Sequence, residues 1–146
     1  KPGQGRPVMM YVLWTQEQDV SYEYSTTWMG STKKIQLFRT YKCFYGVDVS
    51  LEGVDVSWDS PGVLKLDNPN VAYITMEPVG ELKIMEENGI WNRLQTKDRE
   101  VAHNDLLRTA RRIAANDTNA LLIAKLRFQE LIRTGKSGDD KLITTD

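Results

Sequence analysis

The sequence contains only one cysteine and one histidine among its 146 residues. A single cysteine excludes an internal disulfide framework and a zinc site built from cysteines. The sequence also has no nucleophile elbow and no glycine-rich phosphate loop, so the commonest catalytic constellations are missing. It has no apolar run long enough to cross a bilayer as a helix. These absences predict a non-catalytic protein without cofactor, metal or membrane span, in an intracellular and cytoplasmic setting.

The two rare residues each have a plain structural interpretation. His103 lies beside the apolar stripe of a predicted helix, which favours a boundary position over a role as catalytic base. Cys43 lies in an aromatic strand, where a packed small hydrophobe is expected. The carboxylates of the middle of the chain follow no spacing typical of a calcium site or of a catalytic acid pair. We therefore expect them on solvated strand faces and in turns.

Proline is absent from residues 8–60, which is typical of a segment built from strands. The apolar run at residues 8–14 predicts a buried strand, and residues 16–19 predict a polar turn. Residues 20–28 alternate between apolar and polar side chains, which predicts a second strand. A long β-rich run over residues 34–45 predicts a third.

The middle of the chain carries turn signals and one short repeat. The five residues Gly46-Val-Asp-Val-Ser recur from Gly53, which predicts a hairpin that turns at Glu52-Gly53, although either copy could pair with a different strand. Further strands are expected on both sides of a break at residues 78–80. Asn88-Gly89 is the strongest hairpin signal in the sequence.

Residues 96–135 predict two consecutive helices. Apolar residues recur at helical spacing over residues 101–114 and again over residues 121–132. Thr96 is the expected N-cap of the first helix, and Gly135 is the expected end of the second. The short polar joint between them is typical of a helical hairpin. The second helix is apolar around much of its circumference, which predicts burial on more than one side.

Strands followed by helices argue for an α+β domain, and short turns make the sheet mainly antiparallel. We predict a β-sandwich or partial barrel of about seven to nine strands in residues 7–95, followed by a C-terminal helical hairpin in residues 96–135. Residues 1–6 are expected to be a flexible arm and residues 136–146 a mostly polar tail. The length fits one domain over residues 1–146.

Charge is unevenly distributed along the chain. Residues 46–90 hold nine acidic and two basic residues, whereas both flanking parts are mildly basic. Such asymmetry can steer association and help domains stack head to tail. The competing interpretation is that the acidic middle strands simply face water.

Aromatic residues are concentrated near the start, where nine of the 13 lie within residues 1–45 among interleaved basic residues. A sheet face with aromatics for base stacking and cations for phosphates is typical of single-strand nucleic-acid binders. Such aromatics can equally fill a core, and a net charge of -1 disfavours strong nucleic-acid affinity. The side chains expected to form this surface are those of Lys33, Lys34, Arg39, Tyr41, Lys42, Arg108, Arg111 and Arg112.

The leading functional hypothesis is a non-catalytic protein–protein interaction or assembly module, such as a structural subunit or a domain of a longer protein. It rests on the uneven charge, the long β-runs with sheet edges and the strongly apolar second helix. A protein partner or self-association is expected. The alternative is a single-stranded nucleic-acid-binding domain that uses the aromatic and basic sheet face.

Overall fold

The structure is a computed structural model that describes residues 8–48, 55–60, 63–67, 70–134 and 141–145. The predicted flexible arm and the cap at Gly135 lie outside these residues. The elements in chain order are β1 (Val8–Trp28), β2 (Ser31–Asp48), β3 (Asp55–Ser60), β4 (Val63–Asp67), β5 (Val71–Glu87), α1 (Thr96–Ala115), α2 (Thr118–Thr134) and β6 (Lys141–Thr145).

The strands form an open sheet of four strands in the order β5-β2-β1-β6 and a separate pair, β3-β4. β1 and β2 are joined by a two-residue turn, in which Met29 and Gly30 both have positive φ (48° and 75°), as in the turns that favour tight hairpins. β6 pairs antiparallel with the start of β1, from Val8↔Thr145 to Val12↔Lys141. Of the predicted tail, residues 141–145 therefore form an edge strand.

The prediction of a sandwich or partial barrel with seven to nine strands is wrong, because the described residues form six strands, three of them very long, with four in an open sheet and two in a separate pair. The predicted turn at residues 16–19 lies inside β1. No glycine or proline interrupts β1, and its polar side chains simply alternate between the two faces, which any strand accommodates. The two consecutive helices that follow the β-rich part are confirmed.

The predicted break at residues 78–80 is also absent, since β5 runs unbroken from Val71 to Glu87. β5 lies at the edge of the sheet, where one side of the strand has no neighbouring strand and a proline is tolerated. Gly80 has φ 75°, a conformation that glycine adopts without strain. Because β5 is an edge strand, it continues through Pro78 and Gly80 even though both residues are strong local turn signals.

The short repeat does not form the predicted hairpin. Its second copy lies partly in β3, which pairs antiparallel with β4 through Asp55↔Asp67 and Val56↔Leu66. The first copy ends β2, which lies between β5 and β1. The predicted turn at Glu52-Gly53 lies outside the described residues. Identical short segments therefore have different partners, which the sequence interpretation had left open.

Asn88-Gly89 does not turn a hairpin either, because residues 88–95 form an irregular loop folded onto the β1–β2 turn. The Asn92 side chain donates to the carbonyl oxygens of Thr26 and Ser31, both at 3.0 Å. A Cβ on Gly89 would crowd the Ser31 hydroxyl and lie 2.9 Å from the Thr32 carbonyl oxygen. Glycine is needed here for close approach rather than for a hairpin turn.

The chain divides into two compact units. Unit 1 comprises Lys1–Gln16, Cys43–Thr75 and Asp117–Asp146, and unit 2 comprises Glu17–Lys42 and Met76–Asn116. In unit 1, the five consecutive residues of β2 from Cys43 to Val47 are all buried, so both faces of the strand are covered there. Ala120, Ala124 and Phe128 of α2 complete this core.

Unit 2 is built differently, as a three-stranded part of the sheet with α1 on one face. α1 presents three alanines and one leucine to the sheet, since Ala102, Leu106, Ala110 and Ala114 are all buried. The helix starts one residue earlier than predicted, with Gln95 as its N-cap instead of Thr96. Asp98 accepts a hydrogen bond from the Gln95 backbone amide at 2.8 Å, which satisfies an amide at the helix start.

Candidate functional site

The two faces of the sheet in unit 2 have different surroundings. Even-numbered residues of β1 meet α1: Tyr22 donates to Asp105 at 3.0 Å, and Tyr24 donates to Asp98 at 2.7 Å. Because side chains alternate along a strand, odd-numbered residues of β1 lie on the opposite face. There, Asp19 accepts a hydrogen bond from Thr40 of β2 at 2.6 Å. The helix covers only one side of the sheet.

The covered face contains a buried charge cluster centred on Asp98. Its carboxylate lies 2.7 Å from the Lys33 ammonium, and the two side chains are only 11% and 14% exposed. Tyr24 and the Gln95 amide complete its hydrogen bonds. Burial alone would raise the pKa of Asp98, but the hydrogen bonds from Lys33, Tyr24 and the Gln95 amide outweigh it, so the pKa is lowered. Because all partners are satisfied, the cluster is structural: it joins α1 to β1 and β2.

A second ion pair links α1 to the edge strand. Arg99 donates from Nε and Nη2 to the two carboxylate oxygens of Glu86, at 2.7 and 3.0 Å. Bidentate geometry of this kind fixes orientation as well as charge. The hydrogen bond from Arg99 lowers the pKa of Glu86. The ion pair between Arg99 and Glu86 also shows that even-numbered residues near the end of β5 face α1.

The opposite side, which we name the open face, carries a shallow groove with a volume of about 830 Å³. Three apolar side chains in its lining remain exposed: Phe38 at 39%, Val79 at 37% and Met85 at 60%. They come from β2 and β5, two neighbouring strands. A group of exposed apolar side chains on one surface is evidence for an interaction site, whereas single exposed apolar side chains occur on most protein surfaces.

Acidic residues outnumber basic ones on the open face. Lys34 lies 4.0 Å from Glu23 and 3.9 Å from Glu87, at the margin of ion-pair distance. Glu81 and Lys83 line the groove beside Met85. Four carboxylates thus share this surface with the ammonium groups of Lys34 and Lys83 and the guanidinium of Arg39, which leaves it slightly net negative. The charged and polar members are Asp19, Ser21, Glu23, Lys34, Gln36, Arg39, Thr40, Glu81, Lys83 and Glu87.

The structure distributes the predicted nucleic-acid-binding residues over several surfaces. Lys33 is paired with Asp98 on the covered face, and Tyr41 is only 1% exposed. Lys34 lies on the open face, and Lys42 is half-buried. Arg39 donates to the Gly80 carbonyl oxygen at 3.2 Å. The three arginines of α1 that were predicted to bind nucleic acid are exposed on the helix: Arg108, Arg111 and Arg112.

The predicted aromatic platform is therefore not assembled among the described residues. Tyr41, Phe44 and Tyr45 are buried, and the hydroxyls of Tyr22 and Tyr24 bond to carboxylates of α1. The hydrogen bond to Asp98, with burial, raises the pKa of Tyr24. The exposed apolar residues of β5, Val79 and Met85, were missed by the sequence interpretation. Their alternation with Glu81 and Lys83 would have been visible if β5 had been predicted as one strand.

The remaining candidate groups lie apart from the open face. His103 lies on α1 among the lining of a shallow surface depression, with Arg99, Glu100 and Asn104. Cys43 is buried, and burial raises the pKa of its thiol. Within the described residues, no three His, Cys, Asp or Glu side chains group closely enough to hold a metal ion. Neither α1 nor α2 is long and apolar enough to span a membrane.

Comparison of the chain with protein-family models, curated protein sequences and solved structures finds no match. The physical features of unit 2 are therefore the basis for assigning a function.

Proposed function

We propose that the protein is a non-catalytic protein–protein interaction module whose docking surface is the open face of unit 2. One observation carries the proposal: Phe38, Val79 and Met85 are exposed together on a sheet face opposite the one that α1 covers. An antiparallel sheet can leave one face to water when that face is polar. Here the uncovered face holds three exposed apolar side chains interspersed with charged ones, and protein interfaces likewise combine apolar and polar groups.

The sheet face supports docking better than the sheet edge does. β5 forms one edge, and an exposed edge can accept another strand. Pro78 removes one amide from that edge, and the positive φ of Gly80 interrupts its extended geometry. Glu77 and Glu81 place charge beside the same stretch. These are the devices by which edge strands avoid pairing, so a partner is expected on the face.

The charge of the open face defines the chemistry of the partner. Its four carboxylates outnumber its three basic groups, which favours a partner surface that is basic and also carries apolar residues. The same charge disfavours nucleic acid there, because phosphates would meet Asp19, Glu23, Glu81 and Glu87. The exposed arginines of α1 could contact phosphates, but the aromatic residues expected to stack bases are not beside them.

Adjacent residues of β5 provide a matched test. We expect peptides selected from a random library on the immobilised protein to combine basic and apolar residues. Met85→Glu should weaken their binding by about tenfold or more, because it replaces the most exposed apolar side chain of the groove with a charge and adds to the negative charge of the open face. Isothermal titration calorimetry with one selected peptide measures the change.

Ile84→Glu is the control. Ile84 is 52% exposed, close to the 60% of Met85, but it shares the side of β5 on which Glu86 meets α1. It should leave peptide affinity within about twofold of the wild type. Equal effects of the two substitutions, or a library that yields no peptide, would contradict the proposal.

A further inference from the structure

We infer that the open face docks a second copy of this chain, through the outer face of α1, so that copies associate head to tail. The inference rests on the proposed function and names its partner. The outer face of α1 is the exposed side of the helix opposite its buried alanines. It comprises Lys97, Glu100, Val101, Asn104, Arg108, Arg111 and Arg112.

This helical surface has the chemistry that the open face requires. Four of its residues are basic and one is acidic, so it is net positive. Arg108 lies 3.1 Å from Asp105 on the same helix, whereas the side chains of Arg111 and Arg112 form no ion pair with any described residue. Val101 is 37% exposed and adds apolar surface. A net-positive helix with an apolar residue fits a net-negative groove that also exposes apolar side chains.

Charge also selects this pairing over the symmetric ones. Two open faces packed together would place carboxylates of one copy against carboxylates of the other. Two outer faces of α1 would bring arginines against arginines. Like charges brought together across an interface cost several kcal/mol, so the contact between unlike faces is the favourable one.

The architecture of unit 2 determines what such a contact builds. The open face and the outer face of α1 lie on opposite sides of one sheet-and-helix unit, so each copy can contact one neighbour on each side. A contact between two different surfaces is heterologous and yields a ring when it closes or a filament when it does not.

The expected interface is small. A helix of 20 residues is about 30 Å long and presents a strip about 10 Å wide. Its footprint of roughly 300 Å² per copy is well below the roughly 800 Å² per partner of a standard interface. Association should therefore be weak, reversible and strongly dependent on protein concentration and salt.

Complementation between two variants tests the inference. Variant A carries Phe38→Glu and Met85→Glu on the open face, and variant B carries Arg111→Glu and Arg112→Glu on α1. We expect sedimentation velocity to show the wild type growing beyond a dimer from micromolar to millimolar concentration, and less so at high salt. Each variant alone should remain a monomer. Their equimolar mixture restores one intact pair of faces and should stop at a dimer.

The charge control is Lys125→Glu with Arg133→Glu on α2, which alters net charge as variant B does and should associate like the wild type. Arg111→Lys with Arg112→Lys should retain association, and circular dichroism verifies folding.

A wild type that stays monomeric, a variant B that associates normally, or a mixture without dimers would overturn the inference. If peptide binding still distinguishes Met85→Glu from Ile84→Glu, only the self-association fails. If it does not, the proposed docking surface fails as well.

Discussion

Gly46→Ala is expected to destabilise the protein by about 3 kcal/mol or more. A Cβ at Gly46 would overlap the Tyr11 carbonyl oxygen and lie 2.9 Å from the Tyr11 carbonyl carbon and 2.8 Å from Cδ1 of Ile74. The Tyr11 atoms belong to the backbone of β1, which pairs with β2 and cannot move aside without disturbing the sheet of unit 1. Urea unfolding followed by circular dichroism measures the loss.

Gly30→Ala is the matched control for this substitution. Gly30 lies in the β1–β2 turn with φ 75°, and a Cβ there would meet nothing within 4 Å. The cost should be limited to backbone strain, about 1 kcal/mol. If Gly46→Ala cost no more than Gly30→Ala, the close approach of β1 and β2 in unit 1 would be wrong.

Asp98→Ala is the second substitution with a large expected effect, a loss of about 3 kcal/mol in the free energy of unfolding. It leaves the Lys33 ammonium, 14% exposed, without its carboxylate, and it removes the acceptor for the Tyr24 hydroxyl. Removing one partner of a buried pair costs more than the pair contributes, because the remaining charge stays desolvated. Thermal or urea unfolding of the two proteins gives the difference.

Glu86→Ala provides the comparison, because it removes an ion pair between β5 and the same helix. Its ion pair with Arg99 is more exposed, at 30% and 48% of the two side chains, so water screens the charge that remains. The expected loss is below about 1 kcal/mol. Similar losses for the two substitutions would show that burial of the Asp98 cluster has no energetic importance.

The two ion-paired carboxylates, Asp98 and Glu86, should make the free energy of unfolding depend on pH in the acid range. The pKa values of Asp98 and Glu86 in the folded protein lie below their ordinary values of 3.8 and 4.5. The stability that these carboxylates contribute is therefore complete at neutral pH. It is lost as the pH falls below about 4.5 and through the lowered pKa values. Asp98→Asn should show a shallower decline in the free energy of unfolding over this window.

Periodicity explains which parts of the fold could be predicted. The helices have apolar stripes that continue over several turns, and both helices were predicted correctly from this long periodic pattern. The strands of the β-rich part were judged from two- and three-residue turn signals such as Pro78 and Gly80. Those signals depend on whether a strand is central or at an edge, and strand order is not visible in one sequence. The strands were therefore predicted too short and too many.

The candidate surface shows the same dependence on topology. Phe38 was correctly expected in a strand, but its neighbours on the open face come from β5, which the predicted break had divided. Conversely, Lys33 and Tyr41 were expected to share a binding surface because they lie close in sequence. The structure pairs Lys33 with Asp98 and buries Tyr41. Charge and aromatic composition alone do not reveal which face of a strand is covered.

The most direct measurement is the NMR spectrum of the protein labelled with ¹³C at the methyl groups of its five methionines, recorded from micromolar to millimolar concentration. Met85 lines the groove of the open face, and Met29, 72% exposed in the β1–β2 turn, serves as the internal reference. We predict that the Met85 methyl signal moves as concentration rises and returns when salt is added, while the Met29 signal stays. A Met85 signal that never moves, or one that moves no more than that of Met29, would contradict the open face as the docking surface for a second copy.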